Sequence, residues 1–358
     1  MFFRLETDGT RQGVELEDLY SGPFRSACWI IGGGPSLQQL PVNAIDRSPV
    51  PRFGINLAGS SLLRPTFWTS YDPTARFHRS IYLDAGITKF VHRRRAMDLV
   101  PETTFKVCEC PNTLFFERSP DRGYHNYLAG PGITDWQDTL IQAVEIACRL
   151  GFRTLYLAGC DLFIEPSSDQ QRVAAEHGVE YRPRELLRDF FERCRQAGLK
   201  DDRLQQLALP RQYHFDEVKP LDAAINTDWH YFRVVQYLRL SRRALARAGL
   251  ELVSVTPLSR LNDHFEYHPV QRVLEDIGRK VADPERESTR GRYTTTDSRQ
   301  PAALGPMRDF RPHNWSATAT PGKEPVAEEQ PDRRAACERV RQGLDDIAEV
   351  PVAVNKGG

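Results

Sequence analysis

The stretch that decides the fold is Trp29-Ile30-Ile31-Gly32-Gly33-Gly34-Pro35-Ser36-Leu37. An apolar run that stops at three glycines is typical of a buried strand followed by a tight turn. Pro35 and Ser36 suit the first turn of a helix, where free amides and the helix dipole attract anions. The stretch therefore predicts a strand, a turn and a helix, with a phosphate bound by Gly32, Gly33, Gly34 and Ser36. A tight turn without a ligand is the alternative, because the glycines match neither the dinucleotide fingerprint nor the P-loop.

Strand and helix patterns alternate through most of the chain. Strands are predicted at 28–31, 52–56, 66–71, 89–92, 104–108, 154–159 and 250–255. Helices are predicted at 134–150, capped by Thr134 or Asp135, at 231–248, and in short pieces near 184–197. This alternation predicts an α/β fold with a doubly wound, mainly parallel sheet of the Rossmann-like kind.

Composition divides the 358 residues into four regions. Residues 1–26 are predicted to be a polar lead-in, and residues 27–275 a single nucleotide-binding domain. Residues 276–327 are rich in Arg, Ser, Thr and Pro without periodicity, which predicts a disordered linker. The tail, 328–358, carries one possible helix at 328–350.

Charge and hydropathy argue against several classes of protein. Basic and acidic residues balance at 48 each, so no net charge draws the chain to nucleic acid or to a membrane surface. No apolar run approaches the roughly 20 residues that span a bilayer, and the N-terminus lacks a signal-peptide core. We therefore expect a cytoplasmic protein without a membrane span. The seven cysteines are expected to be reduced and structural, and only Cys108 and Cys110 have a spacing that suits a metal.

Polar side chains follow several predicted strands. Ligands of parallel sheets bind beyond the carboxyl ends of the strands, which would bring residues 32–36, Asn56, Asp72 and Asp161 to one edge. The Asn56 amide could bind a base or ribose, and the two aspartates could bind ribose hydroxyls or a phosphate-held Mg²⁺. Thr134 offers a further contact at a helix start. Each residue also has a structural interpretation, namely turn or helix capping, or a buried carboxylate for Asp161.

His230 is the candidate for proton transfer. Imidazole is the side chain best matched to this chemistry near neutral pH. The residue is predicted to open the helix at 231–248, where the helix dipole would disfavour its cation and keep it a base. His214, His264 and His268 compete for the role, and a surface or packing role is the alternative.

The order of these motifs resembles the bacterial lipooligosaccharide sialyltransferases and the wider set of 6-hydroxymethylpterin diphosphokinase-like proteins. The resemblance covers about residues 27–265. It rests on His230 and on the segments 31–37, 54–56, 65–72, 143–161 and 252–261.

The resemblance implies a nucleotide-binding α/β fold and a CMP-linked donor. Residues 32–34 and Asn56 match the positions that hold the nucleotide in that family, and Ser259 matches a loop that closes over it. His230 matches the general base. Gly33 replaces an asparagine of the family, Asp72 stands near another asparagine, and Phe163 stands where a tyrosine steadies the leaving phosphate. These departures weaken CMP-sialic acid as the donor, and Asp72 favours the diphosphokinase-like branch.

Three functions follow from the sequence as alternatives. The first is a transferase of the glycosyltransferase type, with a CMP- or UDP-type nucleotide-sugar donor, a small-molecule or glycan acceptor and no covalently bound cofactor. The second is a Mg²⁺-dependent pyrophosphoryl or nucleotidyl transfer enzyme in which Asp72 and Asp161 hold the metal. The third is a non-catalytic nucleotide- or glycan-binding module. A homo-oligomer is compatible with each.

Overall fold

The computed structural model describes residues 2–6, 9–19, 27–48, 50–58, 62–119, 132–200, 202–204, 211–214 and 217–280. The chain divides into two compact units, Met1–Ser316 and Ala317–Gly358, and the described residues all belong to the first. The tail helix predicted at 328–350 and most of the linker predicted at 276–327 lie outside the described residues. Residues 276–280 are described and are helical, so the predicted linker start is wrong.

A mostly parallel sheet of ten strands forms the centre of the protein. Its strands along the chain are β1 (Phe2–Leu5), β2 (Arg11–Val14), β3 (Ala27–Ile31), β4 (Arg52–Ile55), β5 (Phe67–Thr69), β6 (Thr88–His92), β7 (Thr113–Phe116), β10 (Thr154–Ala158), β13 (Glu251–Ser254) and β14 (Glu266–Tyr267). Two small sheets pair β8 (Arg118–Ser119) with β9 (Ile133–Thr134), and β11 (Arg211–His214) with β12 (Glu217–Lys219). The order across the large sheet is β14-β13-β10-β3-β4-β5-β6-β7-β1-β2, and only the pairs that involve β1 are antiparallel.

The helices that accompany the sheet are α1 (Val42–Asp46), α2 (Arg79–Leu83), α3 (Thr139–Arg149), α4 (Ser168–Glu176), α5 (Leu187–Gln196), α6 (Leu221–Arg247) and α7 (Val270–Lys280). The protein is therefore α/β. Of the helices in the described ranges, none is long and apolar enough to cross a membrane.

The middle of the sheet forms the core. Every residue of β3 and of β10 is buried, as expected for parallel strands covered on both faces. The ring centroids of Trp29 and Tyr156 lie 5.2 Å apart on these neighbouring strands. The chain leaves β3 towards β4 on one side and returns to its other side only at β10. This reversal of strand order opens a crevice between the carboxyl ends of β3 and β10.

The N-terminal residues belong to the sheet, and the predicted polar lead-in is wrong for them. Phe2 and Phe3 are each 5% exposed, and β1 pairs with β7. The Phe2 ring packs edge-on against Phe90, with 5.6 Å between the centroids. A strand of four residues with two core positions is too short to stand out by its periodicity.

The strand predicted at 104–108 is also wrong. Val107–Glu109 forms a 3-10 turn, and the strand is instead β7. Phe105 and Val107 alternate with polar residues, but they pack in an apolar cluster that also contains Trp68. All four residues of β7 are buried, which a strand covered on both faces requires.

The helix α3 begins at Thr139 rather than at residue 134. The Asp138 carboxylate accepts a backbone N–H of the first turn at 2.9 Å and caps the helix. Gln137 has a left-handed backbone with φ of 56°, which interrupts any helix that starts earlier. Thr134 lies in β9, and its N–H donates to the Glu145 carboxylate at 2.8 Å.

The helix α6 begins at Leu221, ten residues before the predicted start. The polar run 226–228 suggests a helix start, but its side chains are satisfied in other ways. The Thr227 hydroxyl donates to the Ala223 carbonyl at 2.7 Å, and the Asp228 carboxylate is buried against other elements. His230 is therefore the tenth residue of α6, and the helix-dipole argument for its neutral form does not hold.

Replacing Phe2 tests whether β1 is part of the core. We expect Phe2→Ala to lower the free energy of unfolding by about 3 kcal/mol or more, because it removes a buried aromatic ring and leaves a cavity. Gln12→Ala, at an exposed position of β2, is expected to change it by less than about 0.5 kcal/mol. Urea unfolding followed by fluorescence measures both values. Equally small effects would contradict the packing of β1.

Candidate functional site

The crevice between β3 and β10 brings together half of the predicted site residues, namely Gly32, Gly33, Gly34, Asn56 and Asp161. It is lined by residues 32–34, 55–56, 138–140 and 159–163, and by Tyr231 of α6. Its enclosed volume is about 80 Å³, whereas ligand pockets start at about 300 Å³. A nucleotide bound here would therefore extend out of the crevice along the sheet edge.

Residues 32–34, the glycine loop, pack tightly against the loop that follows β10. The Gly32 N–H donates to the Ala158 carbonyl at 2.7 Å, and the Gly34 N–H donates to the Gly159 carbonyl at 2.8 Å. Gly159 has φ of 66°, and a Cβ on Gly34 would lie 1.7 Å from an Asp161 oxygen. The glycines allow this close packing, so the amides of Gly32 and Gly34 bind the protein itself. The helix predicted after residue 34 forms only as the 3-10 turn Pro35–Gln39.

Asp161 is a buried carboxylate in the crevice. It is 8% exposed, and the Ser36 hydroxyl donates to its Oδ2 at 2.8 Å. Burial raises the pKa of this carboxyl from 3.8 to about 6, although the hydrogen bond from Ser36 acts in the opposite direction. The group can therefore exchange a proton near neutral pH. When it is ionised, it repels a phosphate at residues 32–36.

Asn56 lines the crevice at the end of β4. Its backbone is left-handed with φ of 53°, a conformation that asparagine tolerates. Its side-chain oxygen accepts hydrogen bonds from the Ser70 hydroxyl at 2.6 Å and the Thr139 hydroxyl at 3.1 Å. Asn56 therefore lies at the predicted edge, and its side-chain oxygen holds two hydroxyls of other elements instead of capping a local turn. The amide N–H₂ is the part of Asn56 that can donate to a ligand.

Five predicted residues do not line the crevice, namely Ser36, Asp72, Thr134, His230 and Ser259. Ser36 and His230 contact residues that do, Asp161 and Asp138. Asp72 forms an ion pair with Arg76 in the turn after β5. The Ser259 hydroxyl donates to the Cys160 carbonyl at 2.6 Å and accepts an N–H in the next turn. Ser259 therefore holds the loop after β10 in place. Asp161 lines the crevice, whereas Asp72 is paired with Arg76 outside it.

His230 forms a pair with Asp138 at the crevice. The imidazole Nε2 lies 3.1 Å from Asp138 Oδ2, and the two side chains are 34% and 11% exposed. A carboxylate in this position orients the ring. Asp138 is not among the residues predicted from the sequence. Two aspartates, Asp135 and Asp138, precede the apolar face of α3, and either can cap a helix. Considering the second one as the cap would have identified Asp138.

The competing histidines lie elsewhere. His268 lies 3.1 Å from Glu266 at the β14 edge of the sheet, and His264 lies in the turn before that strand. Neither lines the crevice. The side chain of His214 is outside the described residues.

A buried ion pair fixes the elements around the crevice. Arg260 Nη1 lies 2.8 Å from Asp228 Oδ1, and the two side chains are 6% and 1% exposed. The Asp228 carboxylate also accepts the N–H groups of Ile164 and Leu187 at 3.0 and 2.9 Å. Arg260 donates to the carbonyl of Leu162, whose φ of 56° costs about 1–3 kcal/mol for a residue other than glycine. The pair thereby joins the strained crevice loop to α6, two residues before His230.

The cysteines of the core behave as structural thiols. Cys28, Cys148, Cys160 and Cys194 are buried, and burial raises the pKa of each thiol. Within the described residues, no group of three or more His, Cys, Asp or Glu side chains could hold a metal ion.

No protein-family model, curated protein or solved structure matches this chain.

The raised pKa of Asp161 makes the stability of the protein depend on pH. The folded state binds this proton more tightly than the unfolded state, so stability is lost as the pH rises from about 4 through 6. We expect Asp161→Asn to raise the free energy of unfolding at pH 7.5 by on the order of 2 kcal/mol, and to do so much less at pH 4.

Urea unfolding at the two pH values measures this difference. Asp46→Asn, at a side chain that is 48% exposed, is the matched control and should change little at either pH. An equal effect of Asp161→Asn at both pH values would contradict the burial argument.

Proposed function

We propose that the protein is a transferase of the glycosyltransferase type, with a Rossmann-like nucleotide site and His230 as its general base. The observation that carries the proposal is the His230–Asp138 pair at the crevice where the strand order reverses. Crevices at this position are the usual ligand sites of open parallel sheets. The resemblance to the sialyltransferases, in which a histidine at the place of His230 is the base, favours the same chemistry.

In the proposed reaction, an acceptor hydroxyl attacks the anomeric carbon of a nucleotide-sugar donor. When Nε2 of His230 donates to Asp138, Nδ1 holds the free electron pair and takes the hydroxyl proton. The new bond joins the acceptor oxygen to the sugar. The bond from the anomeric carbon to the phosphate oxygen breaks, and the nucleotide leaves with that electron pair. Asp138 stabilises the imidazolium that forms.

The donor is proposed to be of the CMP or UDP type, and the acceptor to be a small molecule or a glycan. Asn56 and the loop at 32–36 are the groups nearest to a nucleotide in the crevice. Asp161 reaches the same space, and its protonation reduces its repulsion of an anionic ligand.

Replacing the base is the direct test of the mechanism. We expect His230→Ala to lower the turnover of CMP- or UDP-sugars by about 100- to 10,000-fold, because a positioned base contributes a factor of that size. Binding of the nucleotide should survive. Release of the nucleotide, followed by mass spectrometry, measures turnover.

A second variant tests the partner of His230, and a third serves as the control. Asp138→Asn keeps the helix cap, because asparagine also caps helices, but it loses the charge that orients His230 and should lower turnover. His268→Ala, outside the crevice, should leave turnover unchanged. Full activity of His230→Ala would show that His230 is not the base.

The Mg²⁺-dependent alternative differs in its response to metal. A thermal-shift panel of CMP, CDP, UDP, GDP and ATP, with Mg²⁺ or with EDTA, separates the candidates. A ligand at a hundred times its Kd raises the free energy of unfolding by about 2.7 kcal/mol, which such a panel detects. Stabilisation by one nucleotide in EDTA is the expected result. Stabilisation only by di- or triphosphates with Mg²⁺ would favour pyrophosphoryl transfer. Binding without turnover of any donor would favour the non-catalytic module.

A further inference from the structure

A partly buried arginine lies at the carboxyl edge of the sheet, directly after β7. The Arg118 side chain is 14% exposed. Its guanidinium lies over the Tyr71 ring, 3.7 Å from the centroid, and its Nη2 donates to Gln142 Oε1 at 3.2 Å. One face and one nitrogen of the cation are therefore held by the protein.

The Gln142 side chain has little freedom to turn away. It is 1% exposed, and its Nε2 donates to the Thr69 hydroxyl at 2.6 Å and to the Ser70 carbonyl at 3.3 Å. These two bonds direct Oε1 towards Arg118. The guanidinium is thereby preorganised before any ligand binds.

Two nitrogens of Arg118 have no hydrogen-bond partner among the described residues. Within the described part of the chain, no hydrogen bond uses its Nε or Nη1, and Nε is buried. Asp135 Oδ1 lies 4.0 Å from Nε and accepts the Tyr71 hydroxyl at 3.2 Å. A buried donor without an acceptor destabilises the folded protein. The guanidinium donates charge-assisted hydrogen bonds to a phosphate or carboxylate.

The surroundings of Arg118 favour an anion. Burial is the main cause that lowers the pKa of Arg118, and the nearby charges of Arg95 and Arg94 act in the same direction. Burial also lowers the pKa of His92 to about 4, with a further contribution from Arg118. Tyr71 and Asp135 act in the opposite direction, so the lowered pKa of Arg118 comes from burial of the cation, and an anion bound beside it would offset that loss of hydration.

The arginine is connected to the crevice through two residues. The Tyr71 N–H donates to the Thr139 hydroxyl at 3.1 Å, and that hydroxyl donates to Asn56 Oδ1 at 3.1 Å. Thr139 and Asn56 both line the crevice. These bonds place Tyr71, which carries the Arg118 cation on its ring, next to two residues of the crevice.

We propose that Arg118, positioned by Tyr71 and Gln142, is an oxyanion subsite that binds a phosphate or carboxylate group of the ligand. The donor phosphate would bind in this subsite and not at the glycine loop. The amides of Gly32 and Gly34 in that loop already donate to carbonyl groups of the protein. The assignment to a donor phosphate rests on the proposed function. Oxyanion binding at Arg118 does not.

The test measures anion binding by the full chain with isothermal titration calorimetry. The probes are inorganic phosphate, pyrophosphate, acetate, CMP and cytidine. We expect pyrophosphate and CMP to bind, and CMP to bind at least tenfold more tightly than cytidine. Arg118→Gln should weaken pyrophosphate at least tenfold and remove the advantage of CMP over cytidine. A carboxylate subsite would instead bind acetate better than phosphate, and Arg118→Gln would remove that binding.

Two variants keep the result interpretable. Arg118→Lys retains the positive charge without the fork and should bind pyrophosphate with an intermediate Kd, which also shows that the fold survives. Arg172→Gln, at a side chain on α4 that is 61% exposed, makes the same change of charge and should have no effect. Wild-type binding by Arg118→Gln, equal loss in Arg172→Gln, or no binding of any anion by the wild type would overturn the proposal.

The outcome is separable from that of the proposed reaction. Loss of anion binding in Arg118→Gln together with full activity of His230→Ala would retain the subsite and reject the general base. Unchanged anion binding in Arg118→Gln together with an inactive His230→Ala would reject the subsite and retain the base.

Discussion

The site depends on the contact between two backbone loops at the ends of β3 and β10. A Cβ on Gly159 would lie 2.5 Å from the Gly32 carbonyl oxygen, and a Cβ on Gly32 would lie 2.5 Å from the Gly159 carbonyl oxygen. No side chain fits at either position, so the loops touch through their backbones. This approach brings Asp161 into hydrogen-bond distance of Ser36 and buries its carboxylate. The glycines that suggest a phosphate site in the sequence thus serve first to join two strands.

A second constraint is the ion pair between Asp228 and Arg260. Removing one partner of such a buried pair leaves an uncompensated charge, which is strongly destabilising. The pair connects the strained residue Leu162 with α6 and so relates the shape of the crevice to the position of His230. Neither charged residue lines the crevice. They act on the site through the elements that they hold together.

The charges along the sheet edge differ from one end to the other. Asp161 and Asp138 lie at the crevice, beside the candidate base, whereas the cation of Arg118 lies after β7. Under the two proposals, the base lies at the first end and an anionic group of the ligand binds at the other. This separation would orient an asymmetric ligand, because its anionic group is repelled by the ionised carboxylates and attracted by Arg118.

The sequence by itself determined the elements whose patterns are local. The apolar runs of β3 and β10 and the turn at residues 32–34 predict an α/β protein with a mostly parallel sheet, and polar residues at the strand ends predict Asn56 and Asp161 at one edge. Only the tertiary structure decided where α3 and α6 begin, that β1 joins the core, and that Asp138 faces His230. Those outcomes depend on partners that are distant in the chain. The Asp228 carboxylate, for example, is satisfied by Ile164, Leu187 and Arg260 rather than by the helix end that its neighbours suggest.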